Sequence, residues 1–315
     1  MNKVLIFTHG IDIDGFGGAI LGKLAFKNPK IVFADNFNLD ELMISTLKND
    51  APYDEIYVTD HCPSYALCEK IESSKALSLV IKVFDHHISR KGKEENFDFV
   101  NLVVGNENGK QSGTSLFYEY LTKTGKLKRT GSLDMFVKLT TLYDTWEWKK
   151  DKEFGMQAYR LNTLFQAVGR DRYIEIVGNI LERNPNEFKF SVKENKIVDN
   201  FIRDFYSQID NYIKKIKIVD VDGLKVGYVE LEDLYKNDIA EVLRNQDNPL
   251  NISYLMMPLT DRGSVSLRNI ENVDLADIAT KFGGGGHRSA ASFPKSNEEF
   301  KLLQHKIKDN LSSQK

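Results

Sequence analysis

Short apolar runs separated by helical stretches dominate the first half of the chain: 4–8, 31–34, 56–59 and 79–84, with helices expected at about 16–26 and 39–47. Runs of four to eight apolar residues without polar alternation suit strands buried on both faces. Their alternation with helices predicts βαβ units in a doubly wound parallel sheet. Ser112-Gly-Thr-Ser leads into a capped helix over 116–121, and a second helix is expected over about 133–143. From about 191 to 217, Ile197, Phe201, Ile202, Phe205, Ile209, Tyr212, Ile213 and Ile216 recur at spacings of three and four, predicting one amphipathic helix. Beyond it, strands at 224–231, 252–258 and 264–267 and helices at 238–245 and 274–282 predict a smaller α+β domain. The organisation read from this pattern is a first domain over 1–185, a connector helix within 186–217 and a second domain over 218–315.

Three of the apolar runs end in carboxylate–histidine groups: His9-Gly-Ile-Asp12-Ile-Asp14-Gly15, Asp60-His61 and Asp85-His86-His87. Parallel sheets bind ligands beyond the carboxyl ends of their strands, so three strands would deliver these residues to one edge. Imidazole with several carboxylates suits a hard-to-borderline divalent ion, with manganese ahead of magnesium, iron and zinc. A pair of ions about 3.5 to 4 Å apart needs one bridging carboxylate flanked by separate ligands. Neighbours at a strand end point opposite ways, so His86 and His87 cannot play the same part.

Two glycine groups each have two readings. Gly15, Gly17 and Gly18 either place amides near an anion or make an ordinary tight strand–helix turn. The run 283–286 before His287-Arg288 either turns its amides toward an anion or is a flexible loop closing a helix. Arg268, on an upstream strand, would reach the same anion.

Taken together, His9 with Asp12 and Asp14, Asp60-His61, Asp85-His86-His87 and Tyr143-Asp144-Thr145-Trp146 resemble motifs one to four of the DHH phosphoesterases. Gly283-Gly-Gly-Gly-His287-Arg288 resembles the glycine-rich motif of the DHHA1 domain that follows the catalytic domain in one branch of that family. The resemblance covers nearly the whole chain, with the motifs in order. It implies two divalent ions, with manganese foremost and magnesium an alternative. His9 and Asp12 would hold one ion, Asp14 and His86 the other, with Asp60 bridging and Asp144 completing the pair. Asp85 would orient a neighbour, His87 would face the substrate phosphate and His61 would support the ligands. Arg268, Gly284, Gly285, Gly286, His287 and Arg288 would bind substrate. The first motif departs from the common pattern, because two residues rather than three separate His9 from Asp12.

The activity so implied is removal of 5′-mononucleotides from very short RNA, with 3′-phosphoadenosine-5′-phosphate as a further substrate. Alternatives are a cyclic or linear dinucleotide phosphodiesterase, a RecJ-like single-strand DNA exonuclease and an inorganic pyrophosphatase. A non-catalytic nucleotide-binding protein is the alternative of a different class. Charge bears on this choice: 43 basic against 45 acidic residues, a net charge of −2, lacks the bulk basic footprint of proteins that hold long nucleic acids. Cys62 and Cys68 cannot form a disulfide framework and read as two reduced thiols, with Cys62 beside His61 as an alternative metal ligand. No apolar stretch approaches about 18 residues and the start lacks a signal-peptide pattern, so the expected location is cytoplasmic, without membrane contact. A homodimer is compatible with the sequence.

Overall fold

Strand β1 (Val4–His9) is buried at every position, as expected of a central parallel strand covered on both faces. It pairs in parallel with β2 (Lys30–Ala34) on one side and β3 (Glu55–Thr59) on the other; β4 (Ile81–Asp85) and β5 (Val100–Leu102) continue the sheet. The order β2-β1-β3-β4-β5 is doubly wound, and its direction of winding reverses between β1 and β3. Open α/β sheets bind ligands at that point. Helices α1 (Ile13–Ala25), α2 (Leu39–Asn49), α3 (Tyr65–Glu72) and α4 (Lys75–Val80) connect the strands. Leu5, Phe7, Ile56, Val58, Ile81 and Val83 form a core with Met43, Cys68 and Ile71. Burying side chains of this size contributes about 1.5–3 kcal/mol each for the larger aliphatics.

The computed structural model describes residues 2–35, 37–49, 52–107 and 109–312. They divide into two units, 1–201 and 202–315.

Two local expectations change. The run expected as a strand over 79–84 is the end of α4 followed by β4, with Leu79 72% exposed. An apolar run that crosses a helix–strand junction has no period to mark the crossing. Of the two readings of Gly15, Gly17 and Gly18, packing holds. A Cβ on Gly15 would strike the carbonyl of His9, one on Gly17 the Thr114 hydroxyl, and one on Gly18 the Thr59 hydroxyl. The Gly15 N–H is already donated to Asp12 Oδ1 at 3.1 Å, so these glycines let α1 press onto the sheet rather than cradle an anion.

After the hairpin of β6 (Gly105–Asn106) and β7 (Gly109–Lys110), helix α5 (Gly113–Lys123) starts three residues earlier than expected. Ser112 and Ser115 cap it reciprocally. Thr130 caps α6 (Gly131–Asp144). Helices α7 (Gly155–Val168) and α8 (Arg170–Arg183), which no sequence pattern singled out, meet at Gly169 with φ 76°. The expected amphipathic helix is α9 (Val192–Lys214), and the division between the two units falls inside it.

The second unit contains β8 (Lys217–Val221), β9 (Leu224–Tyr228), α10 (Lys236–Asn245), β10 (Tyr254–Pro258), β11 (Ser264–Asn269), α11 (Leu275–Lys281), β12 (Gly285–His287), β13 (Ala290–Pro294) and α12 (Glu298–Ser312). Its sheet runs β12-β13-β11-β10-β9-β8. The glycine run is ordered. Gly283, at φ 71°, donates to Thr280 O, and Gly284 donates to Ala279 O, the paired bonds of a Schellman cap on α11. Gly285 and Gly286 then enter edge strand β12 against Ser292 and Ala291. The run closes a helix, as one of its two readings had it, but as a bonded cap and edge strand rather than a loose loop.

Candidate metal centre

The exits of β1, β3 and β4 and the end of α6 bring their polar residues together. Three groups of side chains have ligand atoms within 4.8 Å of one another: His9 with Asp12 and Asp60; Asp14 with His86 and Asp144; and Asp60 with His86 and His87. Asp60 belongs to two of them. Its Oδ2 lies 3.4 Å from His9 Nδ1 and its Oδ1 lies 3.3 Å from His86 Nε2. A carboxylate whose two oxygens face different imidazoles is placed as a bridge between two ions would require. Asp60 holds this position in the left-handed region, at φ 55°, which Asp and Asn tolerate better than other side chains.

Each neighbour has its own support. Asp12 caps α1 through Oδ1 and places Oδ2 2.8 Å from His9 Nδ1, so the shortened spacing still joins the two. Asp14 is fully buried; its Oδ2 accepts from Gly113 N at 2.7 Å and its Oδ1 from Thr114 N at 2.9 Å. The start of α5, where helix amides favour negative charge, thus anchors a carboxylate of the cluster. Sequence reasoning missed Gly113 and Thr114 in this role; the Ser112-Gly-Thr-Ser cap was their only signal. Asp144, at the end of α6, stands 3.4 Å from His86 Nε2. Asp85 Oδ1 accepts from the His86 and His87 backbones and lies 2.7 Å from His87 Nδ1. It therefore orients His87, whose side chain is half exposed. His61 is buried, edge-on to His9 at 5.2 Å.

Electrostatics show what the cluster lacks. Burial and the nearby Asp14 carboxylate hold Asp60 well above the usual carboxylate range, and the same two influences push Asp144 up to about 8. Burial would lower His9, but the carboxylates of Asp12 and Asp60 close to its ring outweigh that and raise it to about 10. Burial and His9 depress His61 to about 4. Buried atoms of His9, Asp60, His61, Asp85, His86 and Asp144 also lack an aligned hydrogen bond among the described residues. Buried polar atoms are normally satisfied. Unsatisfied imidazole nitrogens and carboxylate oxygens converging on a negative pocket fit divalent cations in donor type and in charge.

In the second unit, a cavity of about 490 Å³ is lined by Asp233, Lys236, Leu259, Arg262, Ser264, Ser266, Arg268, Gly285, Gly286, Ala290, Ala291 and Ser292. Arg268 is fixed there: Nε donates to Asn237 Oδ1 and Nη1 to Ser266 Oγ and Leu267 O, each at 2.8 Å. Three of the residues expected beside it, Gly284, His287 and Arg288, lie outside the lining. Gly284 is pressed against Ser292 and Phe293, and the Arg288 carbonyl is bonded to Leu275 N and Asn269 Nδ2.

No family model matches the chain. A curated protein, oligoribonuclease NrnB of Bacillus subtilis (strain 168), is 30% identical over 311 residues, covering 95% of this chain and 74% of its own length. Among solved structures, a pGpG-specific phosphodiesterase from Vibrio cholerae aligns at TM-score 0.53 and 13% identity, over 98% of both chains. The DHH domain of a member of the S1p family of ribosomal proteins aligns at TM-score 0.51 and 12% identity, over 98% of this chain and 86% of its own. At such identities the two structures speak for the fold alone. No described helix is long and apolar enough to cross a membrane.

Proposed function

The chain belongs to the DHH/DHHA1 phosphoesterases, a metal-dependent enzyme family, and on that premise we propose that it hydrolyses short oligonucleotides to 5′-mononucleotides with two divalent ions, manganese foremost. The observation that carries this reading is Asp60, with one oxygen toward His9 and the other toward His86. His9 and Asp12 would hold one ion and Asp14, His86 and Asp144 the other, with Asp60 shared. When bound, such a pair acidifies an attacking water and neutralises charge on the phosphoryl oxygens. The protein's own contribution is positional. Asp85 holds one ring nitrogen of His87 and leaves the other for a phosphoryl oxygen or the leaving group, and Gly113 and Thr114 fix the Asp14 carboxylate.

Substrate length decides between this reading and a long-strand exonuclease. Each phosphate neutralised on a single strand adds a salt slope of roughly −0.7, so an enzyme for two to about five nucleotides should respond shallowly to salt. Hydrolysis of a dinucleotide, a pentamer and a strand several times longer, each at two salt concentrations, is the test. Fastest turnover of the longest strand with steep salt loss would overturn the proposal.

Arg268 is proposed to bind a substrate phosphate in the cavity of the second unit. A hydrogen bond to a charged group is worth about 1.5–3 kcal/mol. Arg268→Ala should therefore raise KM for a short oligonucleotide at least about tenfold. Bound manganese, measured by elemental analysis, should stay at the wild-type level. An unchanged KM would remove Arg268 from substrate binding.

A further inference from the structure

Two features beside the metal centre are left over from the roles assigned so far. The first follows β2. Asp35 Oδ1 accepts from Phe37 N at 2.8 Å and from Asn38 N at 3.0 Å, while Asn38 Oδ1 accepts from Asp35 N at 2.9 Å. This reciprocal bonding holds Phe37 97% exposed, although an aromatic ring ordinarily supplies much of the buried apolar area of a fold. The second follows β4. One turn beyond His87, the Arg90 N–H bonds the His87 carbonyl at 2.9 Å. The Arg90 side chain is partly buried, and among the described residues it makes neither an ion pair nor a hydrogen bond.

Hydrogen bonds tie residues that follow each feature, Asp40 and Lys93, to one segment, the chain just after Asp60-His61. On the β2 side, Ser64 N donates to Asp40 Oδ1 at 3.0 Å; on the β4 side, Lys93 Nζ donates to the Pro63 carbonyl. An outward-held ring and an uncommitted guanidinium therefore follow the C-terminal ends of β2 and β4, at the sheet edge where β3 delivers Asp60.

We propose that Phe37 and Arg90 form the subsite for the nucleotide adjoining the scissile phosphate, Phe37 stacking on its base and Arg90 binding its phosphate. The proposal rests on the oligonucleotide reading of the site and adds how the enzyme prefers oligonucleotides to phosphates without bases. Single-stranded nucleic acids are held in this way by aromatic faces on their bases and cations along the backbone, and a guanidinium matches phosphate geometry.

The test compares wild type, F37A, F37W, R90A and R90K with manganese. The substrates are a 5′-phosphorylated dinucleotide and two analogues, each lacking one of its two bases. F37A should raise KM for the dinucleotide about tenfold, within the range alanine substitution of a stacking ring reaches. That penalty should vanish on one of the two abasic analogues, and F37W should restore wild-type KM. R90A should raise KM about tenfold on all three substrates, with partial recovery in R90K. The manganese-dependent rise in Tm should be the same in every variant, which excludes misfolding as the cause. A penalty in F37A that is equal on all three substrates, or an unchanged KM in R90A, overturns the subsite while leaving the hydrolytic reading intact. Failure of wild type to cleave the dinucleotide overturns that reading, and the subsite with it.

Discussion

Asp60→Asn is expected to lower kcat about a thousandfold or more and to abolish the thermal stabilisation by manganese that is expected of the wild-type protein. Asparagine keeps the size of the side chain and tolerates the left-handed backbone at φ 55°, so the loss would be one of ligation rather than of folding. An ion's stabilisation of phosphoryl transfer is worth several kcal/mol, and about 4 kcal/mol corresponds to three decades in rate. The stability arm is independent of turnover. A ligand at about a thousand times its Kd stabilises by about 4.1 kcal/mol, which moves Tm by roughly 2–4 °C per kcal/mol in a unit of about 200 residues. His86→Ala should fail in the same two measurements, because Nε2 lies near Asp14, Asp60 and Asp144 together. Near-normal turnover in either variant would end the two-ion assignment.

Gly113→Ala should be almost as damaging although it removes no ligand. A Cβ there would stand 2.5 Å from the Asp60 backbone, and Gly113 cannot retreat without breaking its bond to Asp14. Overpacking of this kind costs about 1–3 kcal/mol. Because the displaced group is the proposed bridge, manganese-dependent activity is expected to fall by about two decades, in line with the 10- to 100-fold losses that follow disruption of groups supporting a metal site. Gly178→Ala, in α8 and away from both proposed sites, is the control, since nothing lies within 4 Å of its added carbon. Urea midpoints and kcat of the two variants decide the matter. A Gly113→Ala protein indistinguishable from Gly178→Ala would mean that the contact relaxes at no cost.

The centre of the sheet was legible because β1, β3 and β4 are buried on both faces along nearly their whole length. A run such as Val4-Leu5-Ile6-Phe7 has few other uses, and the polar residues at its end then had to emerge at the ligand edge. Local caps were legible too, as at Ser112 and Thr130. Two kinds of information were not. The boundary of α4 with β4 lies inside an apolar run, where neither period dominates. The anchoring of Asp14 joins residues 99 and 100 positions apart, and nothing local in either segment records that pairing. The glycine run lies between these cases. A glycine C-cap leaves a local signal at Gly283, whereas the edge strand that follows depends on β13 being there to receive it.

The separation of the ligand groups along the chain also bears on synthesis. His9 leaves the ribosome early, but Gly113 and Thr114, which hold Asp14, and Asp144, which faces His86, follow more than a hundred residues later. At about 5–20 residues per second, the carboxylates of the first motif spend several seconds without the partners that define the cluster. A nascent chain truncated before α6 therefore holds an incomplete set of the proposed ligands. Assembly of the proposed metal centre therefore waits for translation of α6, and the chemistry proposed for it cannot begin while the message for that helix is still being read.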